Sequence, residues 1–284
     1  MSARDIAFTR HPAARGALWL KESYHLFVKA RFAWVMMLVA YYAALLFADM
    51  LPLVGDFLAP LLKPVFAVGF LSAAWTQDRG GKPAVVQLFH GFRANLWALV
   101  VLGAVFVVGI TAAIAATALI DGGKLFDLIA NPAPAELDQD AAARRLAATM
   151  SDPQVQLGMV TAALCAIPTI LALWWAPALV VFQDAGPMTA MAASLRAALA
   201  NWRAILRYAL AVFFYGGIVP ALAGTLISIV LPQPYGRAIA FALMTPYVFC
   251  FVATLHISDY VSYRDVFHAG EVLAPIVPTP AATT

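Results

Sequence analysis

The residues of this 284-residue chain that combine ionisable chemistry with an apolar setting point first to proton or ion handling. An ionisable side chain near the middle of a bilayer costs roughly 2.5–3.5 kcal/mol on insertion scales, so each one kept there needs a partner or a task. Lys63 follows Asp56 by two helical turns, which puts both on one face, and Pro60 and Pro64 loosen the backbone around them. That pair could conduct a proton or an ion. The more ordinary reading has Asp56 at the membrane boundary and Lys63 snorkelling back to it. His256 and Asp259 are one turn apart and could relay a proton, although no nucleophile or third partner accompanies them. Asp78 and Asp184 each follow a glutamine at the end of an apolar run, just before a glycine and a proline. Each is expected to shape a local turn by accepting hydrogen bonds from backbone amides about two residues on.

Other chemistries find no residues to carry them. The chain has no GxGxxG, Walker loop, HExxH or GxSxG pattern. Cys165 and Cys250 both sit inside apolar runs without a second cysteine or a histidine at metal-ligand spacing, so they read as small buried hydrophobes. No catalytic residue, cofactor or metal is expected. The formal charge of +3 is small and the basic residues form no stripe with interleaved aromatics, which argues against nucleic acid as a partner.

The elements that must position these side chains follow from composition. Hydrophobic residues make up 63% of the chain and charged residues 12%, against roughly 45–50% and about 25% in soluble domains. Lipid offers unpaired backbone groups no partner, so spanning segments are helices of about 20 apolar residues. Runs at 32–51, 57–76, 95–120, 155–182, 204–231 and 236–258 qualify, within one membrane domain over 1–270. The second is the weakest, because Pro60, Lys63 and Pro64 interrupt its first half, and a re-entrant hairpin is its alternative. The fold expected is an all-α polytopic membrane bundle. Residues 271–284, rich in proline and threonine, are expected to be disordered.

Lysine and arginine are retained on the cytoplasmic side during insertion. The amino-terminal segment carries Arg4, Arg10, Arg15, Lys21, Lys29 and Arg31, and the loop after the second span carries Arg79, Lys82 and Arg93. Arg196 and Arg203 precede the fifth span, and Arg264 follows the sixth. Both termini are therefore expected in the cytoplasm of a bacterial inner-membrane protein. The loop 121–153, with its acids Asp121, Asp127, Glu136, Asp138, Asp140 and Asp152, is expected in the periplasm. The basic start has no apolar stretch followed by a small-residue cleavage site, so no cleavable signal peptide is read. Trp19, Trp34, Trp75, Trp202, Tyr260 and Tyr263 near the boundaries read as an aromatic belt.

Three short amphipathic stretches precede alternate spans. Pro187 to Trp202 places Met188, Met191, Leu195, Leu199 and Trp202 on one face and Thr189, Arg196 and Arg203 opposite. Ala13 to Lys29 gathers Leu20, Tyr24, Phe27 and Val28 away from Arg15, Glu22, His25 and Lys29. Pro83 to Phe92 sets Val85, Leu88, Phe89 and Phe92 against Gln87 and His90. Such helices would lie in the membrane interface. The paired corners Gln77-Asp78 and Gln183-Asp184, and the entries Ala94-Asn95 and Ala200-Asn201, suggest three copies of interfacial helix, span, span. Similar loops in unrelated membrane proteins are the competing explanation.

The stretches PAARGALWL at Pro12 to Leu20, LPLVG at Leu51 to Gly55, PLLKP at Pro60 to Pro64 and Gly91-Phe92 carry a resemblance. So do APALVVFQD at Ala176 to Asp184, AMAASLRAALANW from Ala190 to Trp202, and SYRDVF at Ser262 to Phe267. Together they resemble an uncharacterised family of six-helix proteobacterial inner-membrane proteins, along nearly the whole chain except the long loop and the tail. The resemblance implies membrane insertion and carries over no activity or site residue. A looser likeness, in the pattern of interfacial helix plus hairpin, is to the membrane domains attached to some bacterial glycerophosphodiester phosphodiesterases. No catalytic domain of that kind is present here. The expected role is non-enzymatic organisation or regulation, with membrane lipids and other inner-membrane proteins as partners. A carrier for lipids or another small amphipathic molecule is the alternative, and an enzyme acting on lipids is the third class.

Overall fold

In a computed structural model that describes residues 6–51, 55–131, 139–232 and 235–268, every regular element among the described residues is helical. Six stretches are long and apolar enough to cross a membrane: Arg31–Asp49, Leu58–Asp78, Leu96–Asp121, Pro153–Gln183, Trp202–Val230 and Tyr235–Phe267. The amino-terminal helix α1 is Ala14–Lys29, and α2 (Arg31–Asp49) is the first span. Helix α3 (Gly55–Asp78) runs its 24 residues unbroken through Pro60 and Pro64, about 36 Å at the α-helical rise. That length fits a full crossing rather than a re-entrant hairpin. A 3-10 helix, Val85–Arg93, leads into α4 (Leu96–Ala116), whose first turn is capped by Asn95. Short helix α5 (Ala118–Asp121) ends the third span, and α6 (Lys124–Ala130) and α7 (Gln139–Ser151) occupy the long loop. The tail 271–284 lies outside the described residues.

The fourth span breaks into α8 (Pro153–Trp174) and α9 (Ala176–Gln183), because Pro177 lacks an amide hydrogen and its ring crowds the preceding turn. Ser194 repairs the break. Its Oγ accepts from Trp175 N at 3.1 Å and donates to the Leu171 carbonyl at 2.8 Å, standing in for the missing helical bond. Ser194 belongs to α10 (Pro187–Ala200), which therefore lies on the span it follows. The fifth span is α11 (Trp202–Phe213), a π-helical turn Phe214–Ile218 and α12 (Val219–Val230). In that turn the Val219 amide bonds to Phe214 O, and the Tyr215 carbonyl accepts from Tyr247 Oη at 2.5 Å. Tyr247 stands on α13 (Tyr235–Phe267), whose 33 residues make about 50 Å of helix. This is longer than a hydrocarbon core of about 30 Å.

Burial is unequal along these helices. Trp19, Trp34, Phe70, Trp175, Tyr260 and Tyr263 are all buried at the end where α1 meets the last residues of α13. The fifth span buries none of its most apolar window and turns Leu222, Leu226 and Ile229 outward. One end is thus a packed aromatic core, here called the terminal face, and the other spreads apolar surface toward lipid.

The 3-10 helix packs on α3, α10 on α8 and α9, and α1 on α13, so each amphipathic element docks on a second span. Helix α10 packs through Ala190, Ala193, Ser194 and Ala197 and leaves Met188 and Leu199 exposed, as is Trp202 at the start of α11. Gln87, expected on the polar side, is buried: it accepts from Ala84 N and donates to Thr76 Oγ1, both at 2.7 Å. The backbones approach most closely at two glycines. A Cβ on Gly16 would lie 1.9 Å from the Ala204 carbonyl oxygen, and one on Gly91 would lie 2.0 Å from that of Val65.

Candidate functional site at the terminal face

A ladder of ion pairs crosses this face and joins three elements distant in sequence. Arg15 on α1 grips Asp265 on α13 with two hydrogen bonds, Nε to Oδ2 at 2.7 Å and a terminal nitrogen to Oδ1 at 3.0 Å. The same guanidinium holds Glu22 two turns along α1 at 2.6 Å. The Asp265 bond, ahead of Glu22, raises the Arg15 pKa above its ordinary value against the opposing effect of burial. Asp265 also accepts from Trp19 Nε1 at 2.8 Å, and its backbone carbonyl lies 3.0 Å from His11 Nε2. Arg264 extends the ladder to Asp78 at 2.7 Å and to Glu22 at 3.5 Å, while Tyr260 donates to Asp78 at 2.9 Å.

A strap of chain, residues 6–12, crosses beside it. Thr9 N donates to Val266 O at 2.7 Å, and His11 N donates to Asn201 Oδ1 at 2.8 Å. Asn201 Nδ2 returns a bond to Thr9 O, and Arg196 donates to Ile6 O with its guanidinium over the Phe8 ring. Arg196, expected to face water, therefore fastens the strap.

The ionisable residues singled out by spacing divide among different settings. Asp78 does not cap its own turn: its bonds run to Tyr260 and Arg264, and Gly80 takes the left-handed position at φ 82°. Asp184 is itself left-handed at φ 49°. The two Gln-Asp corners therefore turn the chain differently, with Gln77 bridging Trp34 Nε1 and the Leu26 carbonyl and Gln183 reaching His268. His256 and Asp259 part company. The imidazole stacks on Phe70 at 4.0 Å with Tyr41 at its edge, whereas Asp259 accepts from Trp174 Nε1 at 3.2 Å. The two side chains thus have different aromatic partners, His256 on α2 and α3 and Asp259 on α8. Lys63 is exposed on α3 with its ammonium 5.3 Å from the centre of the Phe106 ring. The side chain of Asp56 lies outside the described residues.

Chemically, the ladder saturates its own carboxylates. Glu22, Asp78 and Asp265 each accept from an arginine within the molecule. Beside Asp259, Tyr208 and Ser258 share a hydrogen bond of 2.5 Å. Among the described residues, no cluster of three or more His, Cys, Asp or Glu could hold a metal ion. The neighbouring 3-10 helix carries His90, whose Nδ1 lies 2.7 Å from Ser72 Oγ, and partial burial, aided by Arg93, lowers its pKa.

Arg15, Trp19, Glu22, Arg264 and Asp265 were missed as a site by the sequence reading. One signal was available: Arg15 and Trp19 lie in PAARGALWL, and Arg264 and Asp265 in SYRDVF, two of the stretches that carry the resemblance.

A probable inner membrane protein of Burkholderia thailandensis is 29% identical to this chain over 272 residues, covering 94% of the chain and 96% of the relative. No protein-family model matches, and no solved structure does. With six helices able to cross a membrane, this similarity identifies a multi-pass protein of the bacterial inner membrane.

Proposed function

We propose that this protein is a non-enzymatic organiser or regulator of other inner-membrane proteins, working through its terminal face on the cytoplasmic side. One observation carries the reading. The acids Glu22, Asp78 and Asp265 are engaged in pairs within the molecule, while Arg10, Lys21, Lys29, Lys82 and Arg93 stand exposed around them. The face is therefore a firmly packed platform with a cationic surface, suited to acidic partners and to electrostatic steering. The same excess of cations supports a cytoplasmic orientation.

Charge reversal tests the proposal. Wild type and a Lys21→Glu, Lys82→Glu variant would be isolated in native membrane discs and their companion proteins quantified. A defined set should be depleted in the variant at unchanged thermal stability. Identical companions would reject the platform.

A lipid carrier is the second reading, and the groove between α12 and α13 favours it. The organiser reading expects fluorescent phospholipid in reconstituted vesicles to cross leaflets no faster than in protein-free vesicles. Acceleration by the protein would favour the carrier.

A further inference from the structure

Helices α12 and α13 pack together on the lipid-facing side, and between them lies a groove of about 480 Å³, within the roughly 300–1,000 Å³ typical of small-molecule sites. It exists because Ala221 and Gly224 leave space opposite Met244; a Cβ built on Gly224 would approach only Met244 Cγ, at 3.9 Å. Its chemistry changes with depth. Arg237 lines it close to the turn joining the helices, on the side away from the terminal face. Ser228 and Thr225 follow inward, and beyond them Ala221 and Met244 are apolar. The fifth span buries none of its most apolar window, so the groove opens toward lipid.

We propose that this groove seats one anionic phospholipid of the leaflet opposite the terminal face. A phospholipid presents, from the surface inward, a phosphate, ester carbonyls and an acyl chain. Arg237, with several donors, answers the phosphate through charge-assisted hydrogen bonds, the Thr225 hydroxyl answers an ester, and the apolar end receives the chain. The order of groups in the groove thus matches that in the lipid. A bare phosphate ion would meet only the first of these contacts, so the lipid is the occupant.

The test uses full-length protein, stripped of lipid in detergent and titrated with phosphatidylglycerol or phosphatidylcholine while bound lipid is counted by native mass spectrometry. Wild type should favour phosphatidylglycerol by about tenfold, the size of one charge-assisted contact. Arg237→Gln should abolish that preference and Arg237→Lys should keep most of it. Gly224→Leu, which fills the groove, should weaken binding of both lipids. Photoreactive phosphatidylglycerol in intact membranes gives a second measurement that needs no variant to fold, and its cross-links should concentrate on 220–229 and 237–244. Preference surviving in Arg237→Gln, undiminished binding in Gly224→Leu, or cross-links spread evenly over all six spans would each overturn the proposal.

Discussion

Asp78 and Asp184 make different demands on substitution. Asp184 holds a left-handed backbone, a conformation that asparagine and glycine tolerate and β-branched residues resist. Asp184→Asn and Asp184→Gly should therefore unfold in detergent within about 0.5 kcal/mol of wild type, whereas Asp184→Val should lose about 1–2 kcal/mol. Asp78 spends its carboxylate on Arg264 and Tyr260, with both members of the ion pair partly exposed. Asp78→Asn should then cost less than about 1 kcal/mol, with Asp78→Ala somewhat worse. Thermal unfolding of the paired variants checks this, and identical profiles at the two sites would mean that the corners work alike after all. Sequence spacing made these aspartates visible but could not give their roles. Asp78 bonds to residues 182 and 186 positions away, and Arg15 to one 250 away, beyond the reach of any local pattern. Gln87 misled for a related reason, since a polar side chain reads as outward until Thr76 arrives to satisfy it.

At the scale of elements, the spans were legible because lipid forces each backbone to satisfy itself, and a continuous apolar run is the only solution the sequence can write. Their ends were less so. The sixth run was read as stopping at Ser258, where polar residues begin, yet α13 continues to Phe267 because that end is enclosed by aromatic packing. Helix contacts were not legible either, since a glycine gives no sign of what approaches it. Gly16 and Gly224 should respond with opposite signs. Gly16→Ala places a methyl group into the Ala204 carbonyl and should cost about 1–3 kcal/mol, because backbone lies on both sides of the contact. Gly224→Ala makes only ordinary contact and should be neutral or stabilising by up to about 1 kcal/mol through helix propensity. Midpoints in detergent decide the matter, and a harmless Gly16→Ala would mean that α1 and α11 can separate without cost.

Across the whole molecule, the strap, α1, the 3-10 helix, α10 and the end of α13 touch one another directly or through a shared span end. Two candidate spans lie between each of the amphipathic elements and the next, in keeping with the topology expected from charge counting along the chain. The side of the membrane remains a prediction. With both native cysteines changed to alanine, a cysteine at Ala143 in α7 should react with an impermeant thiol reagent outside spheroplasts. One at Ala84, before the 3-10 helix, should react only after lysis. The reverse pattern would put the terminal face in the periplasm, and reaction at both before lysis would break the crossing count.

The grip of Arg15 on Asp265 also bears on how the protein is made. Translation delivers α1 at the start and its principal partner some 250 residues later. Until α11 emerges the Trp19 side of α1 lacks Tyr208, and until the end of α13 emerges it lacks Asp265, so the helix must wait at the bilayer surface. Contacts so far apart in the chain close late. A chain that terminates before Asp265 keeps its first helix docked on α11 but exposes to membrane proteases the side that a finished copy covers with the end of α13.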